Sequence, residues 1–285
     1  MKVKNLFFLL LSFACLYSCK TKQAGEKPVV VKKVIQRTKP AADITYHFEN
    51  SKSWLKQHKE NDAVLRNVLA VNRTDLSHLR GMDSIIIPNE ATADIAYYLP
   101  FPFHLSYAGS IDKIIFFSYP SQSFAAYENG ELIYTGPTNM GRKADPTATG
   151  LYFTNWKAEK TTSTSNDEWE LKWNFNIDNK EGVGWHQYDM PGYPASHSCL
   201  RLQEADARYL YDWADQWVLD HDSVKFKGTP VIVFGSYDFG APKPWLKLAT
   251  DPHALDISEK AMEEILALHL KQIMSEQEKR KAVGK

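Results

Sequence analysis

Cysteine is scarce in this chain, with three among 285 residues. Cys15 and Cys19 lie in an N-terminal apolar segment, so Cys199 is the single thiol of the remainder. With no second cysteine there, an internal disulfide framework is excluded. Charge imbalance is missing too. Lys plus Arg and Asp plus Glu number 34 each, a formal net charge of +0, which removes any general bias toward nucleic acid. Beyond the N-terminus no run is apolar enough to cross a membrane. Aromatic residues, by contrast, reach 13%, with 8 Trp and 14 Tyr. That suits a β-rich protein with carbohydrate- or peptide-binding surfaces, most of the rings serving the core. The length leaves room for one large and one small domain.

Met1-Lys2-Val3-Lys4 is positively charged, and Leu6 to Tyr17 is an apolar run too short to span a bilayer as a mature helix. This reads as a signal peptide over residues 1–19. Leu16-Tyr17-Ser18-Cys19 resembles a bacterial lipobox, which implies Cys19 as the lipidated first residue of an exported, periplasmic, membrane-anchored lipoprotein. An ordinary signal peptide cleaved nearby is the alternative. Residues 20–43 carry Lys20, Lys22, Lys27, Lys32, Lys33, Arg37 and Lys39 with two prolines, the composition of a flexible basic tether.

Residues 44–90 change character. Ile44 to Phe48 alternates as a strand, Ser53 to His58 predicts a short helix, and Asp62 to Val71 a second one capped by Asp62. Asn72 to Asp75 is a turn, and Leu79 to Pro88 returns as a strand. This βααβ order resembles a LysM module, on the pieces Leu69–Arg73, Leu79–Gly81 and Ile85–Pro88. The resemblance implies binding to the glycan strands of peptidoglycan. A small packing domain that positions an enzyme is the other reading. Residues 91–109 form a connector, extended at Leu99-Pro100-Phe101-Pro102-Phe103.

Residues 110–237 read as a series of short strands. Asp112 to Ser118 is one; Phe124 to Tyr134 is a hairpin turned at Asn129-Gly130. Gly150 to Trp156 is another, Trp169 to Ile177 alternates strictly, and Pro230 to Phe234 closes the set. Glu204 to Trp217 predicts a helix. The expected class is mainly β with some α (α+β), with a β-sandwich-like domain. Residues 238–285 form an extension whose helix runs from Asp256 to Lys281, with Asp256 and Glu259 as a capping box and Met262, Ile265, Leu266, His269 and Ile273 as its apolar stripe.

The chemistry gathers near Cys199. A lone thiol with His186 and His197 nearby is a candidate nucleophile, since imidazole can take its proton. A buried, inert cysteine is the bland reading. The pattern His186, spacer, Ser196-His197-Ser198-Cys199-Leu200-Arg201-Leu202 resembles the signature of the L,D-transpeptidase catalytic domain. That family usually has Gly where this chain has Ser198. Tyr127 to Tyr134 and Asp145 to Tyr152 are similar to its earlier landmarks.

The resemblance implies Cys199 as nucleophile and His186 as base, oriented by the Gln187 carbonyl. His197 either lines the pocket by strand alternation or is structural. Ser198 and Cys199 N–H groups are the expected oxyanion donors. Arg201 fixes a substrate carboxylate or buttresses the loop, and Ser196 and Gln187 join these among the oxyanion and substrate-binding residues. The implied reaction is acyl transfer on a peptidoglycan tetrapeptide stem. D-Ala leaves, a thioester forms, and a neighbouring stem amine completes a 3→3 cross-link. No metal or organic cofactor is needed. Water or a protein lysine as acceptor would give a carboxypeptidase or a wall anchor. A non-catalytic wall-binding lipoprotein is a further alternative, and a cysteine protease of unrelated fold lacks its motif context.

Overall fold

Polar caps set the first elements. A computed structural model of the chain describes residues 35–163 and 170–283, and those from Gln36 onward belong to one compact unit. Cys15, Cys19, most of the expected tether and Trp169 lie outside the described residues. Strand β1 (Tyr46–Asn50) leads into helix α1 (Ser51–His58), capped by Asn50, whose side chain accepts from Ser53 N. Helix α2 (Asp62–Val71) is capped by Asn61 and not by Asp62, because the Asn61 side chain already accepts from Val64 N. The strand expected over Leu79–Pro88 begins later, at Ser84, and a short helix not foreseen from the sequence precedes it. Asp75 caps a short helix α3 (Leu76–Leu79), and strand β2 (Ser84–Pro88) follows. β1 and β2 pair antiparallel, and Trp54, Val68, Leu79, Ile85 and Ile87 pack beneath them. Residues 36–43, placed in the tether from composition, lie against this body. Arg37 donates to the Leu132 carbonyl and stacks over the Phe103 ring at 5.2 Å.

The large part holds two sheets. Strands β3 (Ile114–Ser118), β4 (Ser123–Glu128), β5 (Glu131–Pro137) and β6 (Gly150–Phe153) come first. Next are β7 (Lys157–Thr162), β8 (Glu170–Asp178), β9 (Val183–Gln187) and β10 (Leu200–Leu202). Helix α4 (Glu204–Trp213), the hairpin β11 (Val218–Asp220) and β12 (Ser223–Phe226), and strand β13 (Pro230–Phe234) complete the domain. The sheet orders are β5-β4-β3-β13-β6 and β10-β9-β8-β7. Asn129 and Gly130 turn β4 into β5 with φ of 48° and 80°, the pair of left-handed residues that the tightest hairpins demand.

Strand alternation divides the five-stranded sheet between two cores. Ile115, Phe117, Phe124, Ala126, Val231 and Val233 face the second sheet and α4, against Phe175, Trp185, Leu200, Leu202 and Leu210. Ile114, Phe116, Ala125, Tyr127 and Ile232 face the other way, onto Met262, Leu266 and Ile273 of the C-terminal extension. A sheet covered on both sides explains why β3 and β13 are almost continuously apolar. The result is the mainly β, mixed α+β architecture expected, with helices at both ends.

Three expectations about elements change. The C-terminal helix is two helices, α5 (Glu259–Ala267) and α6 (Leu270–Val283), and its cap is Ser258, which accepts from Ala261 N. Asp256 instead bonds the His253 ring. Helix α4 ends at Trp213 because Ala214 turns extended, so that Asp215 N can reach Thr229 Oγ1 and Trp217 N the Asn155 carbonyl. Strict alternation in β8 also fails. Trp173 has φ 54°, and the pairing with β9 slips between Lys172 and Phe175. A residue inserted into a strand reverses every side chain beyond it. Phe175 and Ile177 therefore enter the core while Leu171 faces elsewhere.

Candidate active site

The site is built on the edge where β9 and β10 pair in parallel, Trp185 opposite Leu200 and His186 opposite Arg201. Trp185, Leu200 and Leu202 point into the core and anchor both strands. By alternation, His186 and Arg201 are placed together on the opposite face. Residues 188–199 link the two strands without regular structure of their own. Cys199 is the last residue of that loop, not part of β10. The expectation that His197 and Cys199 share a strand face is thus replaced by a loop in which Ser198 between them takes φ 80°. Loop curvature still brings the two side chains to one place. His186, His197, Cys199 and Arg201 line a cavity of about 30 Å³ with Ser163, Leu171, Tyr188 and Ser196.

The proton positions follow from the partners. His186 Nδ1 lies 3.0 Å from the Gln187 carbonyl oxygen. A carbonyl can only accept, so Nδ1 carries the hydrogen and Nε2 keeps its lone pair. The Gln187 role expected from sequence is thus occupied by its backbone. His186 is 5% exposed. Burial lowers its pKa to about 4, with Arg201 adding to the fall and the Gln187 bond opposing it. The ring is therefore neutral at neutral pH and able to take a proton. Burial pushes the Cys199 thiol up, against a backbone bond from Gly184 and the positive charge of Arg201. Cys199 Sγ points to the Gly182 carbonyl at 3.8 Å, and among the described residues no hydrogen bond joins it to His186. The resting pair is a neutral thiol and a neutral imidazole.

Arg201 is held from two sides. Its guanidinium sits 4.6 Å over the Tyr188 ring and donates to the Asp189 carbonyl at 3.2 Å. Its backbone N–H and carbonyl both bond Asn139. The positive charge is therefore kept at the cavity wall while its strand is buttressed. Ser196 is buried, and its hydroxyl donates to the Cys199 carbonyl. Ser198 occupies a backbone region that glycine enters freely and serine does not. Its carbonyl is secured by Thr147 Oγ1 at 2.7 Å, and Thr147 in turn accepts from Gly141 N at 2.8 Å.

Sequence reading did not single out Thr147, Tyr188 or Leu171 for the site. Tyr188 stands two residues beyond His186, and its ring meets the imidazole edge-on at 5.7 Å, so period-two spacing was an available signal. Thr147 lies inside the segment similar to the family landmark. Leu171 carries no such signal, because its orientation depends on the Trp173 bulge. Among the described residues, no group of three or more His, Cys, Asp or Glu is placed to hold a metal ion.

Residues 112–233 match the profile of the YkuD family, the L,D-transpeptidase catalytic domain. No curated protein matches the chain. Among solved structures, it is similar to an L,D-transpeptidase from Stackebrandtia nassauensis, at 24% identity over 44% of this chain and 57% of that one, TM-score 0.37. An L,D-transpeptidase from Mycobacterium smegmatis matches at 20% identity over 44% and 59%, TM-score 0.36. A Cys-to-Ser mutant of an Enterococcus faecium L,D-transpeptidase matches at 24% over 43% and 50%, TM-score 0.35. The chain spans less than two thirds of the length of each of these.

Proposed function

We propose that this chain, whose residues 112–233 are an L,D-transpeptidase catalytic domain, acts on peptidoglycan stem peptides through a Cys199 thioester. The observation that supports this most is His186: neutral, with Nε2 free, in the same cavity as the only thiol outside the N-terminal segment. His186 Nε2 takes the Sγ proton as sulfur attacks the carbonyl carbon at the L-centre of the third stem residue. Because thiol and imidazole are both neutral at rest, this transfer accompanies attack instead of preceding it. The tetrahedral oxyanion meets the positive field of Arg201 and the N–H groups of the loop. The imidazolium returns its proton to the departing D-Ala nitrogen, and the C–N bond breaks. An amine of a second stem then attacks the thioester, its proton passes to His186, and the C–S bond breaks with Sγ reprotonated. The product is a 3→3 cross-link.

The test is mass spectrometry of purified muropeptides incubated with the protein. Loss of D-Ala with a dimer of 3→3 connectivity supports the reading; loss of D-Ala alone would identify water as acceptor. Cys199→Ala should remove turnover and also the mass that a carbapenem adds to the wild type. Turnover surviving in that variant would refute the mechanism.

A lipid anchor at Cys19 belongs to the same proposal, motivated by Leu16-Tyr17-Ser18-Cys19. Cys19→Ala should then move the protein from membranes to the soluble fraction, and continued flotation with membranes would exclude the anchor. For residues 44–90 the contacts favour the positioning role over independent glycan binding. Arg66 reaches Tyr134 Oη at 3.0 Å and Asp206 at 3.5 Å, and the Arg73 guanidinium is buried among backbone carbonyls, Ser121 included.

A further inference from the structure

The loop carrying Cys199 is tied down from outside. N–H groups of Tyr188, Met190, Gly192, Ala195 and Ser196 all donate to other segments. Some of those partners are expected: Leu202 in β10, and Met140 and Asn139 in the segment that also holds Thr147. Met190 is different. It is fully buried, and its main chain bonds the turn between α2 and α3, 115 residues away in sequence. Met190 N donates to Asp75 Oδ2 at 2.6 Å, and the Met190 carbonyl accepts from Asp75 N at 3.1 Å and Thr74 Oγ1 at 2.8 Å. Thr74 and Pro191 form a bridge of β type.

The next links run into the site. Asn139 donates to the Arg73 carbonyl at 3.0 Å and accepts from Gly192 N at 3.3 Å, while its main chain pairs with Arg201. Gln203, just past β10, donates to the Thr74 carbonyl at 3.0 Å. The approach is close at Gly192, where a Cβ would stand 2.7 Å from Met82 Cε and 3.2 Å from the Asn72 carbonyl, and its φ of 79° already favours glycine. Asp75 is itself immobilised as the cap of α3, with Ser77 Oγ and His78 Nδ1 on Oδ1 at 2.6 and 2.9 Å. Burial raises its carboxyl, but bonds from Ser77, Met190 and His78 outweigh that and hold it below the ordinary carboxylate range.

We propose that the Arg73–Asp75 turn is a positioning element of the acyl-transfer site. In it the Asp75 carboxylate holds Met190, and through it the loop that places Cys199 and Arg201 against His186. The inference rests on the acyl-transfer reading above and adds to it a second part of the chain. An irregular loop has no ladder to fix it, so the position of its nucleophile depends on such external bonds. Truncating Asp75 leaves Met190 N buried without an acceptor, and the loop relieves this by moving. A displacement of about 1 Å at a reacting group costs on the order of 100-fold in rate.

The test uses the full chain and three variants, Asp75→Ala, Asp75→Asn and Thr74→Val. Three quantities are read on folded protein: kcat and KM on a tetrapeptide muropeptide, and the pH midpoint for alkylation of Cys199 by iodoacetamide. Asp75→Ala should lower kcat by about 10- to 100-fold with a smaller change in KM, and should displace the alkylation midpoint, because Cys199 moves relative to His186 and Arg201. Asp75→Asn keeps one acceptor oxygen where the carboxylate uses two, so it cannot serve both Met190 N and the His78 N cap, and it should fall between Asp75→Ala and the wild type in both kcat and midpoint. A turn that only stabilises the fold would lower the unfolding temperature and leave kcat and midpoint at wild-type values, and that result overturns the proposal. Should Asp75→Ala not fold, Thr74→Val decides: it removes one of two bonds to the Met190 carbonyl, and wild-type kcat and midpoint there would overturn it equally. A wild type inert on every stem would refute the transpeptidase reading instead, while the alkylation midpoints would still judge the turn.

Discussion

Replacing Ser198 with glycine should stabilise the protein. Ser198 sits directly before Cys199 at φ 80°, in the left-handed region. For an L-residue with a Cβ that conformation costs about 1–2 kcal/mol. Glycine removes the cost but loses more backbone entropy on folding, about 0.5–1 kcal/mol. The difference favours Ser198→Gly by roughly 0.5–1 kcal/mol. No hydrogen bond of the Ser198 hydroxyl is among those of the described residues, so none of them offsets the gain. The bond from Thr147 Oγ1 to the Ser198 carbonyl is a main-chain bond and survives. In a domain of this size 1 kcal/mol moves the melting temperature by about 2–4 °C, so the variant should melt roughly 1–4 °C higher. Scanning calorimetry with far-UV circular dichroism is the assay, with turnover measured in parallel and expected to be unchanged. A melting temperature equal to or below that of the wild type would refute the strain argument. It would mean that the serine side chain contributes something that outweighs the left-handed backbone.

Other outcomes follow from the pair of neutral groups. His186→Ala should slow acylation of Cys199 by about two to four orders of magnitude, the range for loss of a positioned base, as read by stopped-flow or mass-resolved acylation with a carbapenem; a loss under tenfold would remove His186 from that role. The acid limb of kcat/KM should lie near pH 4, not near 6.5. His186 is lowered to about 4, so Nε2 stays free until pH falls through that value and is lost to protonation below it; a limb centred near 6.5 would contradict the burial argument. Thr147→Val should destabilise the protein by about 1–3 kcal/mol, because Gly141 N and the Ser198 carbonyl both lose a buried partner; an unchanged denaturation midpoint would show that the loop does not depend on it.

What the residues alone determined is local. The isolation of Cys199, its spacing from His186 and His197, and the Asn129-Gly130 turn are properties of neighbours in the chain. So are the short apolar runs of β3 and β13. Each follows from chemistry within a few residues, and the turn and the strands are found where expected. The βααβ order before the catalytic domain was readable for the same reason, although the cap of α2 depended on which of two adjacent polar side chains reached the free N–H groups, and the short helix α3 was not foreseen. The tertiary structure decided the rest. The Trp173 bulge, invisible in a run of alternating residues, turns Leu171 to the cavity and Phe175 to the core. The protonation states of His186 and Cys199 come from burial by distant segments, which no spacing encodes. The role of Asp75 is the extreme case. As a sequence feature it is a polar residue in a turn, and only chain folding across 115 residues sets its carboxylate on Met190 N. Hydrogen bonds along a strand or helix are written in short-range pattern, whereas an irregular loop such as that of Cys199 is fixed by whatever the fold brings beside it.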